Sequence, residues 1–133
     1  MTRRRRSPLS ILLVEDESDV REMYAEYFRW RGHVVCEAAD GSAAVALASE
    51  FRPDAIVMDL SLPRGDGVEA IVRLKQDPRT SHVPIVICTA YLPGERTMRA
   101  LEAAGYQHYV TKPCLPEELL AAIRGVLRPS RAA

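Results

Sequence analysis

The sequence contains no hydrophobic run that approaches the roughly 20 residues needed to cross a membrane as a helix. Its first apolar stretch, ILLV at residues 11–14, is cut off by the acidic EDE that follows it. This stretch is well short of the ~7–15 apolar residues of a secretory signal, although four arginines precede it. We therefore expect a cytoplasmic protein with no membrane span.

Paired cysteine motifs are also absent. The chain has three cysteines, Cys36, Cys88 and Cys114, and no C-x-x-C spacing. An odd count without such spacing does not indicate a disulfide framework, which agrees with a cytoplasmic location. We expect Cys36 and Cys88 to be ordinary buried thiols.

An excess of charge of either sign is missing as well. The chain of 133 residues has 18 basic and 18 acidic residues, and its body has no basic stripe that could follow a nucleic-acid backbone. Four of the arginines form RRRR at residues 3–6. We expect residues 1–8 to be a disordered basic tail, with docking on an acidic partner, membrane or nucleic acid as the alternative. We expect one domain over residues 9–128 and a short tail at residues 129–133.

What the sequence does contain is a fivefold alternation of short apolar segments and helix-like segments. The strand-like segments are residues 9–14, 33–38, 54–59, 83–89 and 107–110. The segments that follow them carry apolar residues at helical spacing, and we expect Ser18 or Asp19 to cap the first helix and Asp66 the third. Such alternation favours a parallel sheet with helices on both faces.

Polar residues follow four of the predicted strands, at the sheet edge where open α/β sheets bind ligands. They are Glu15 and Asp16 after the first strand, Asp59 and Ser61 after the third, Thr89 at the end of the fourth, and Lys112 after the fifth. Three carboxylates held close together would raise one another's pKa unless a cation neutralised them. We therefore expect a bound or built-in positive charge at this edge.

The chemistry of this set indicates magnesium and phosphate. Mg²⁺ is commonly held by one or two carboxylates together with waters and a substrate phosphate. A carboxylate can also act as a nucleophile, as in aspartyl-phosphate intermediates. The Mg²⁺ would hold a transferring phosphoryl group, Lys112 would pair with its charge, and Thr89 would hydrogen-bond one of its oxygens. Asp59 is then the phosphate acceptor.

Four stretches of the chain, ILLVEDE, DAIVMDLSLPRGDG, VPIVICTA and YVTKP, occur in this order and each at a strand end. With them the chain resembles the receiver domain of bacterial two-component response regulators, from about residue 9 to residue 127. The resemblance implies a (βα)5 flavodoxin-like three-layer sandwich, whose five-stranded parallel sheet has the order 2-1-3-4-5. It also implies a stand-alone domain similar to the chemotaxis regulators.

The resemblance gives each acidic residue a role. Asp59 would be the phosphorylated aspartate. Asp16 and Asp59 would bind Mg²⁺ directly, the backbone carbonyl of Ser61 would complete the protein ligands, and Glu15 would act through a water molecule.

The resemblance assigns the remaining site residues to phosphoryl binding and switching. Lys112 and Thr89 would contact the phosphoryl group, Tyr109 would be the switch aromatic, and Pro113 would follow a cis peptide bond, which is largely a proline phenomenon. Ser61 and Tyr91 stand at the two positions that tune the phosphate lifetime in this family. Neither offers a carboxylate or amide to orient an attacking water, so we expect slow self-dephosphorylation.

One thiol departs from the family pattern. Cys114 directly follows the Lys-Pro pair, where the family usually has a larger apolar residue. It could be a reachable thiol beside the site.

The resemblance also implies partners. The domain would take phosphate from a histidine kinase or a phosphotransfer protein, and it would bind a downstream protein through the face of helix four, strand five and helix five. Direct DNA binding is not expected, because no DNA-binding module follows the fifth helix in this sequence. A dimer that forms on phosphorylation is compatible with this interpretation.

Four alternatives stay open at this point. The chain could be a phosphorylation-independent pseudo-receiver, although it keeps all of the site residues, or the receiver part of a longer regulator. A haloacid-dehalogenase-like phosphatase would have a second Asp two residues after the nucleophile, where Ser61 stands. A flavodoxin-like cofactor carrier would need a phosphate-cradling loop after the first strand, where the acidic EDESD repels phosphate. The leading hypothesis is a phosphoacceptor and not an enzyme with a free substrate.

Overall fold

The structure is a computed structural model that describes residues 7–63 and 66–128. The basic run at residues 3–6 and the last residues, 129–133, lie outside the described residues. The expectations for the two tails therefore stay predictions.

Five strands and five helices alternate along the described chain. The strands are β1 (Ser10–Val14), β2 (Val34–Ala38), β3 (Ala55–Met58), β4 (Ile85–Thr89) and β5 (His108–Thr111). The helices are α1 (Ser18–Trp30), α2 (Gly41–Phe51), α3 (Asp66–Gln76), α4 (Glu95–Ala104) and α5 (Pro116–Leu127). All strand pairs are parallel, and the sheet order is β2-β1-β3-β4-β5. This confirms the predicted α/β class and the predicted strand order.

The sheet is covered by helices on both faces, which explains why its central strands are apolar at consecutive positions. In β1, Leu12 and Val14 pack in a cluster with buried side chains of α2, α3 and α4. Their neighbours Ile11 and Leu13 lie in a second cluster, with buried side chains of α1 and α5. Because successive side chains of a strand point to opposite faces, a strand buried on both faces must be apolar throughout.

The two edge strands are less buried than the three central ones. All residues of β3 and β4 are buried, whereas β5 has no fully buried residue and β2 has two. The polar and short character of β5 in the sequence follows from this edge position. In the part of the chain that the structure describes, no helix has both the length and the apolar character needed to span a membrane.

Two helix starts differ from the predictions. The expected cap of α1, Ser18 or Asp19, is wrong: Ser18 is already helical, and the N-cap residue Glu17 makes no side-chain capping bond. The backbone N–H of Glu17 instead donates to a carboxylate oxygen of Glu15 at 3.3 Å, so the strand-end acid sets where the helix begins. Asp66 is the first helical residue of α3 instead of the residue before it, and its charge still favours the helix N-terminus.

A close backbone approach fixes α3 against the end of β3. A Cβ atom added to Gly67 would lie 2.6 Å from the backbone oxygen of Asp59. Only glycine permits this approach. The first turn of α3 is therefore seated directly on the residue that follows β3.

Candidate functional site

The register of the parallel strands brings the polar strand ends together. Val14 pairs with Met58, so the residues that follow them, Glu15 and Asp59, leave the sheet side by side. The backbone N–H of Asp59 donates to the carbonyl of Val14 at 3.1 Å. The two carboxylates therefore start from hydrogen-bonded backbone and not from free loops.

Three carboxylates form a compact cluster at this edge. One oxygen each from Glu15, Asp16 and Asp59 lies within 4.8 Å of the others. Glu15 and Asp59 are each only 3% exposed, whereas Asp16 faces solvent. The cluster is thus buried on one side and open on the other, where a partner or ligand can reach it.

Lys112 neutralises part of this charge. Its ammonium group lies between the two buried carboxylates, in a salt bridge with Glu15 and another with Asp59, the latter at 3.1 Å. The backbone of Lys112 is anchored as well, because its N–H donates to the carbonyl of Thr89 at 2.9 Å. With all three acids ionised, one lysine leaves the site with two uncompensated negative charges.

The two buried acids have opposite pKa shifts. Burial raises the pKa of Glu15 to about 7, helped by the neighbouring Asp59 and opposed by Lys112. Burial also acts to raise the pKa of Asp59, but the Ser61 backbone N–H at 2.8 Å, together with Glu15 and Lys112, lowers it below its usual value. Asp59 therefore loses its proton at a lower pH than Glu15 does. The two carboxylates raise the pKa of Lys112 further, despite its burial, so it stays charged.

Ser61 and Thr89 face each other beside Asp59. Thr89 is fully buried, and its hydroxyl oxygen lies 3.1 Å from that of Ser61 in a hydrogen bond. The Ser61 N–H is already bound to Asp59. The hydroxyl of Thr89 is therefore held at the site by a side chain that is itself anchored on the candidate acceptor.

The two tyrosines named in the sequence analysis contact each other. The hydroxyl of Tyr109, on β5, donates to the backbone carbonyl of Tyr91 at 2.9 Å. The side chain of Tyr91 lies in the loop after β4 and is 72% exposed. The structure thus ties the predicted switch aromatic to the loop that follows Thr89, while the roles of both tyrosines stay predictions.

In the segment after β5, one feature agrees with the sequence analysis and another does not. The Lys112–Pro113 peptide bond is cis, as the resemblance implies. Cys114 is only 8% exposed and packs in the core with α1 and α5, so the structure does not support a reachable thiol at this position. Cys88 is buried as expected, and Cys36 is half-buried.

Two residues of α1 reach the site and were not anticipated. Arg21 donates to the backbone carbonyl of Glu15 at 2.8 Å and pairs with Glu37 at 3.3 Å. The hydroxyl of Tyr24 donates to the carbonyl of Cys114 at 2.7 Å. The sequence held one signal for the second contact. Tyr24 is at a core-facing helix position, and a buried tyrosine hydroxyl usually has a hydrogen-bond partner.

The donors at this edge fit a magnesium ion. They are oxygens only, they include an exposed carboxylate beside two buried ones, and their spacing permits a shared cation. Mg²⁺ favours such oxygen donors while it keeps several waters. The excess of three carboxylates over the single ammonium group of Lys112 provides the electrostatic reason for a divalent cation.

A family model described as the response regulator receiver domain matches residues 11–124 of this chain. The chain belongs to this family. The match covers all of the candidate site residues and, apart from Ser10 at the start of β1, every strand of the sheet. The family predicted from the sequence is thereby confirmed.

Characterised relatives of this receiver domain are regulators of about twice its length. The phosphate regulon transcriptional regulatory protein PhoB of Escherichia coli (strain K12) is 41% identical over 118 residues, which are 89% of this chain and 51% of PhoB. The probable transcriptional regulatory protein TcrX of Mycobacterium tuberculosis is 35% identical over 121 residues, 91% of this chain and 50% of TcrX. The chain spans about half the length of these relatives.

Solved structures agree with the receiver fold. The chemotaxis protein CheY4 of Vibrio cholerae has a TM-score of 0.82 at 28% identity, over 91% of this chain and 100% of CheY4. The receiver domain of the sensor histidine kinase PA1611 from Pseudomonas aeruginosa PAO1 has a TM-score of 0.79 at 34% identity, over 91% and 98%. The latter is described with a magnesium ion coordinated in its active site cleft. The flavodoxin-like architecture predicted from the sequence is thus confirmed.

Proposed function

We propose that Asp59 accepts a phosphoryl group from a phosphohistidine of a histidine kinase or phosphotransfer protein, and that the phosphorylated domain signals by binding another protein. One observation carries this proposal. The Asp59 carboxylate is nearly fully buried, yet its pKa is lowered, and it lies between the Lys112 ammonium at 3.1 Å and the Ser61 N–H at 2.8 Å. A buried charge with two such donors at an otherwise acidic strand end fits a nucleophile better than a structural group.

The transfer needs one bond to form and one to break. A carboxylate oxygen of Asp59 attacks phosphorus, and the N–P bond of the phosphohistidine breaks, with its electron pair returning to the imidazole. The product is an acyl phosphate on Asp59. The lowered pKa of Asp59 keeps the nucleophile ionised, and Lys112 is placed to pair with the phosphoryl oxygens as charge accumulates.

Mg²⁺ is the cofactor that we propose for this step. Asp16 and Asp59 would bind it directly, the Ser61 backbone carbonyl would be the third protein ligand, and Glu15 would act through water. When bound, the ion supplies positive charge that offsets the carboxylates and the phosphoryl oxygens. The carboxylate cluster supports this assignment, as does the magnesium ion described for the P. aeruginosa receiver domain.

We propose that Thr89 and Tyr109 carry the response to the opposite edge of the sheet. A phosphoryl oxygen would compete with Ser61 for the hydroxyl of Thr89, which lies 3.1 Å from that of Ser61. The loop after Thr89 is bound to Tyr109 through the Tyr91 carbonyl. A change at Thr89 would therefore bias the face of α4, β5 and α5, which we propose as the binding surface for a downstream protein or for a second phosphorylated copy.

The domain would act in the cytoplasm as a phosphoacceptor that assists its own phosphorylation and dephosphorylation, not as an enzyme with a free substrate. A second candidate is the receiver part of a longer transcriptional regulator. The relatives PhoB and TcrX favour this candidate, because each is about twice as long as this chain. In that case DNA contact would belong to the rest of the regulator and not to the receiver domain.

Intact mass after incubation with Mg²⁺ and a small phosphodonor tests the acceptor. The native chain should gain one phosphate only when Mg²⁺ is present, and Asp59→Asn should gain none. The matched control is Asp54→Asn, because Asp54 immediately precedes the same strand, at its opposite end, and binds the Ser10 N–H there. Equal phosphate gain in Asp59→Asn would refute the proposal. No gain in the native chain from small donors or from histidine kinases would favour a pseudo-receiver.

A further inference from the structure

Tyr24 is a buried polar side chain that the proposed transfer does not use. It lies on α1, is 4% exposed, and its ring stacks beside Phe28 with the ring centroids 6.3 Å apart. Its hydroxyl donates a 2.7 Å hydrogen bond to the backbone carbonyl of Cys114, a residue 90 positions later in the chain. The bond is buried, so water cannot replace it at low cost if it is lost.

The carbonyl that Tyr24 holds is close to Lys112 along the backbone. Cys114 comes two residues after Lys112, and the ring of the intervening Pro113 fixes one backbone torsion between them. On the other side, the Lys112 N–H is bound to the Thr89 carbonyl at 2.9 Å. The backbone of Lys112 is therefore held from β4 before the proline and from α1 after it.

Tyr24 also shares a small cavity with the charged groups. One cavity of about 10 Å³ is lined by Tyr24 together with Glu15, Asp59 and Lys112. A space of this size is at the lower limit for a single water molecule. On the side of Tyr24, the Lys112 side chain thus has little free volume into which it could shift.

We propose that Tyr24 is a positioning residue for Lys112. Its hydroxyl fixes the segment from Lys112 to Cys114, so that the lysine ammonium lies between Glu15 and Asp59. The inference rests on the proposed function, in which Lys112 pairs with the phosphoryl oxygens, so that the position of Lys112 affects phosphoryl transfer. It differs from a packing role, which would affect only how stable the domain is.

The composition of the chain makes the position of Lys112 directly observable. The sequence has only two lysines, Lys75 and Lys112, so selective ¹⁵N and ¹³C labelling of lysine side chains gives two sets of NMR signals. Lys75 binds the carbonyl of Val83 at 3.0 Å and lies outside the site, so it serves as the internal reference. The signals report on the ammonium group whether or not phosphate is transferred.

The test compares Tyr24→Phe with Tyr27→Phe in the full chain. Tyr27 is the matched control, because its hydroxyl is on the same helix but accepts only an exposed bond from Arg31 at 2.7 Å. In Tyr24→Phe the Lys112 signals should shift, the Lys75 signals should not, and the phosphorylation rate per folded molecule at saturating Mg²⁺ should fall about tenfold. Tyr27→Phe should match the native chain in all three respects.

A rescue variant separates the hydrogen bond from packing. Tyr24→4-aminophenylalanine keeps a weaker donor at the same place, so it should restore part, but not all, of the rate and of the native Lys112 signals. If Tyr24→Phe does not fold, this variant carries the test alone. A phosphorylation rate below the native rate, together with Lys112 signals displaced from the native ones, would then support the inference. Values identical to the native ones would then overturn it.

Three other outcomes overturn the inference. The first is a folded Tyr24→Phe with native Lys112 signals and a rate within about twofold of native, whatever its unfolding temperature. The second is a shifted Lys112 signal with an unchanged rate, and the third is a changed rate with native Lys112 signals. If the native chain accepts no phosphate, the proposed function fails by itself, and the Lys112 signals still decide whether Tyr24 sets the lysine's position.

Discussion

The metal-free domain is expected to lose stability as the pH rises through neutrality, because of Glu15. Burial, together with the nearby Asp59, raises the pKa of this carboxyl from 4.5 to about 7 in the folded state, against the opposing effect of Lys112. The folded state therefore holds the proton more tightly than the unfolded chain. The stability that this proton supplies is fully present below about pH 4.5 and is lost as the pH rises through about 7.

The size of the effect follows from these two pKa values. Between about pH 5 and about pH 8.5, a carboxyl with a pKa of about 7 when folded and 4.5 when unfolded removes about 2–3 kcal/mol from the free energy of unfolding. Because Glu15 is only 3% exposed, solvent does not screen this contribution strongly. Glu15→Gln keeps the shape and a carbonyl oxygen for Lys112, but it has no proton to lose.

Urea unfolding of the native chain and of Glu15→Gln, at several pH values and with a metal chelator present, measures the effect. The difference between the two unfolding free energies reports the titration of Glu15 together with its effect on Asp59 and Lys112, since the other titrating groups are common to both proteins. Relative to the variant, the native chain should lose about 2–3 kcal/mol over this pH range, most of it below pH 7. A difference that stays constant with pH would refute the assignment of the raised pKa to Glu15.

Three further predictions concern other contacts of the domain. Gly67→Ala would place a Cβ atom 2.6 Å from the backbone oxygen of Asp59, so it should lower the free energy of unfolding by about 1–3 kcal/mol and slow phosphorylation. An unchanged midpoint of urea unfolding would contradict the close approach. Thr80→Val removes a buried hydroxyl that donates to the Leu74 carbonyl at 2.7 Å, and a loss of about 1–2 kcal/mol is expected, whereas equal stability would mean that the carbonyl finds another partner. Tyr91→Glu, at a side chain 72% exposed, should leave stability unchanged and shorten the phosphate lifetime after donor removal, and an unaltered lifetime would argue against this position as a tuner.

The sheet and the meeting of its polar strand ends could be predicted because each depends on a short-range pattern. An apolar run that ends in Asp59 or Thr89 marks both a buried strand and the place where it leaves the core. Parallel order then brings those ends together without any knowledge of side-chain contacts. This is why the carboxylate cluster followed from the sequence.

The contacts between distant side chains and backbone could not be predicted in the same way. Helical spacing places Tyr24 on the buried face of α1, but it does not tell which carbonyl lies within reach of its hydroxyl. That partner, Cys114, is 90 residues away and depends on how α1 and α5 pack on the sheet. The N-cap of α1 was also predicted wrongly, because it too involves a contact with a side chain outside the helix. The N-cap residue is Glu17, and its backbone N–H donates to the side chain of Glu15.

The hydrogen bonds around Thr89 suggest how a local charge change could travel without unfolding a strand. The Thr89 carbonyl is bound to the Lys112 N–H, so the backbone at the end of β4 is held by the same residue that would pair with the phosphoryl group. The Thr89 hydroxyl, in contrast, is held only by Ser61 and can reorient by side-chain rotation. The loop beyond it is tied to β5 through the Tyr109 hydroxyl. In the proposed function, the backbone bond between Lys112 and Thr89 would fix the reacting groups, and the exchangeable hydroxyl bond of Thr89 would pass the change to the surface of β5.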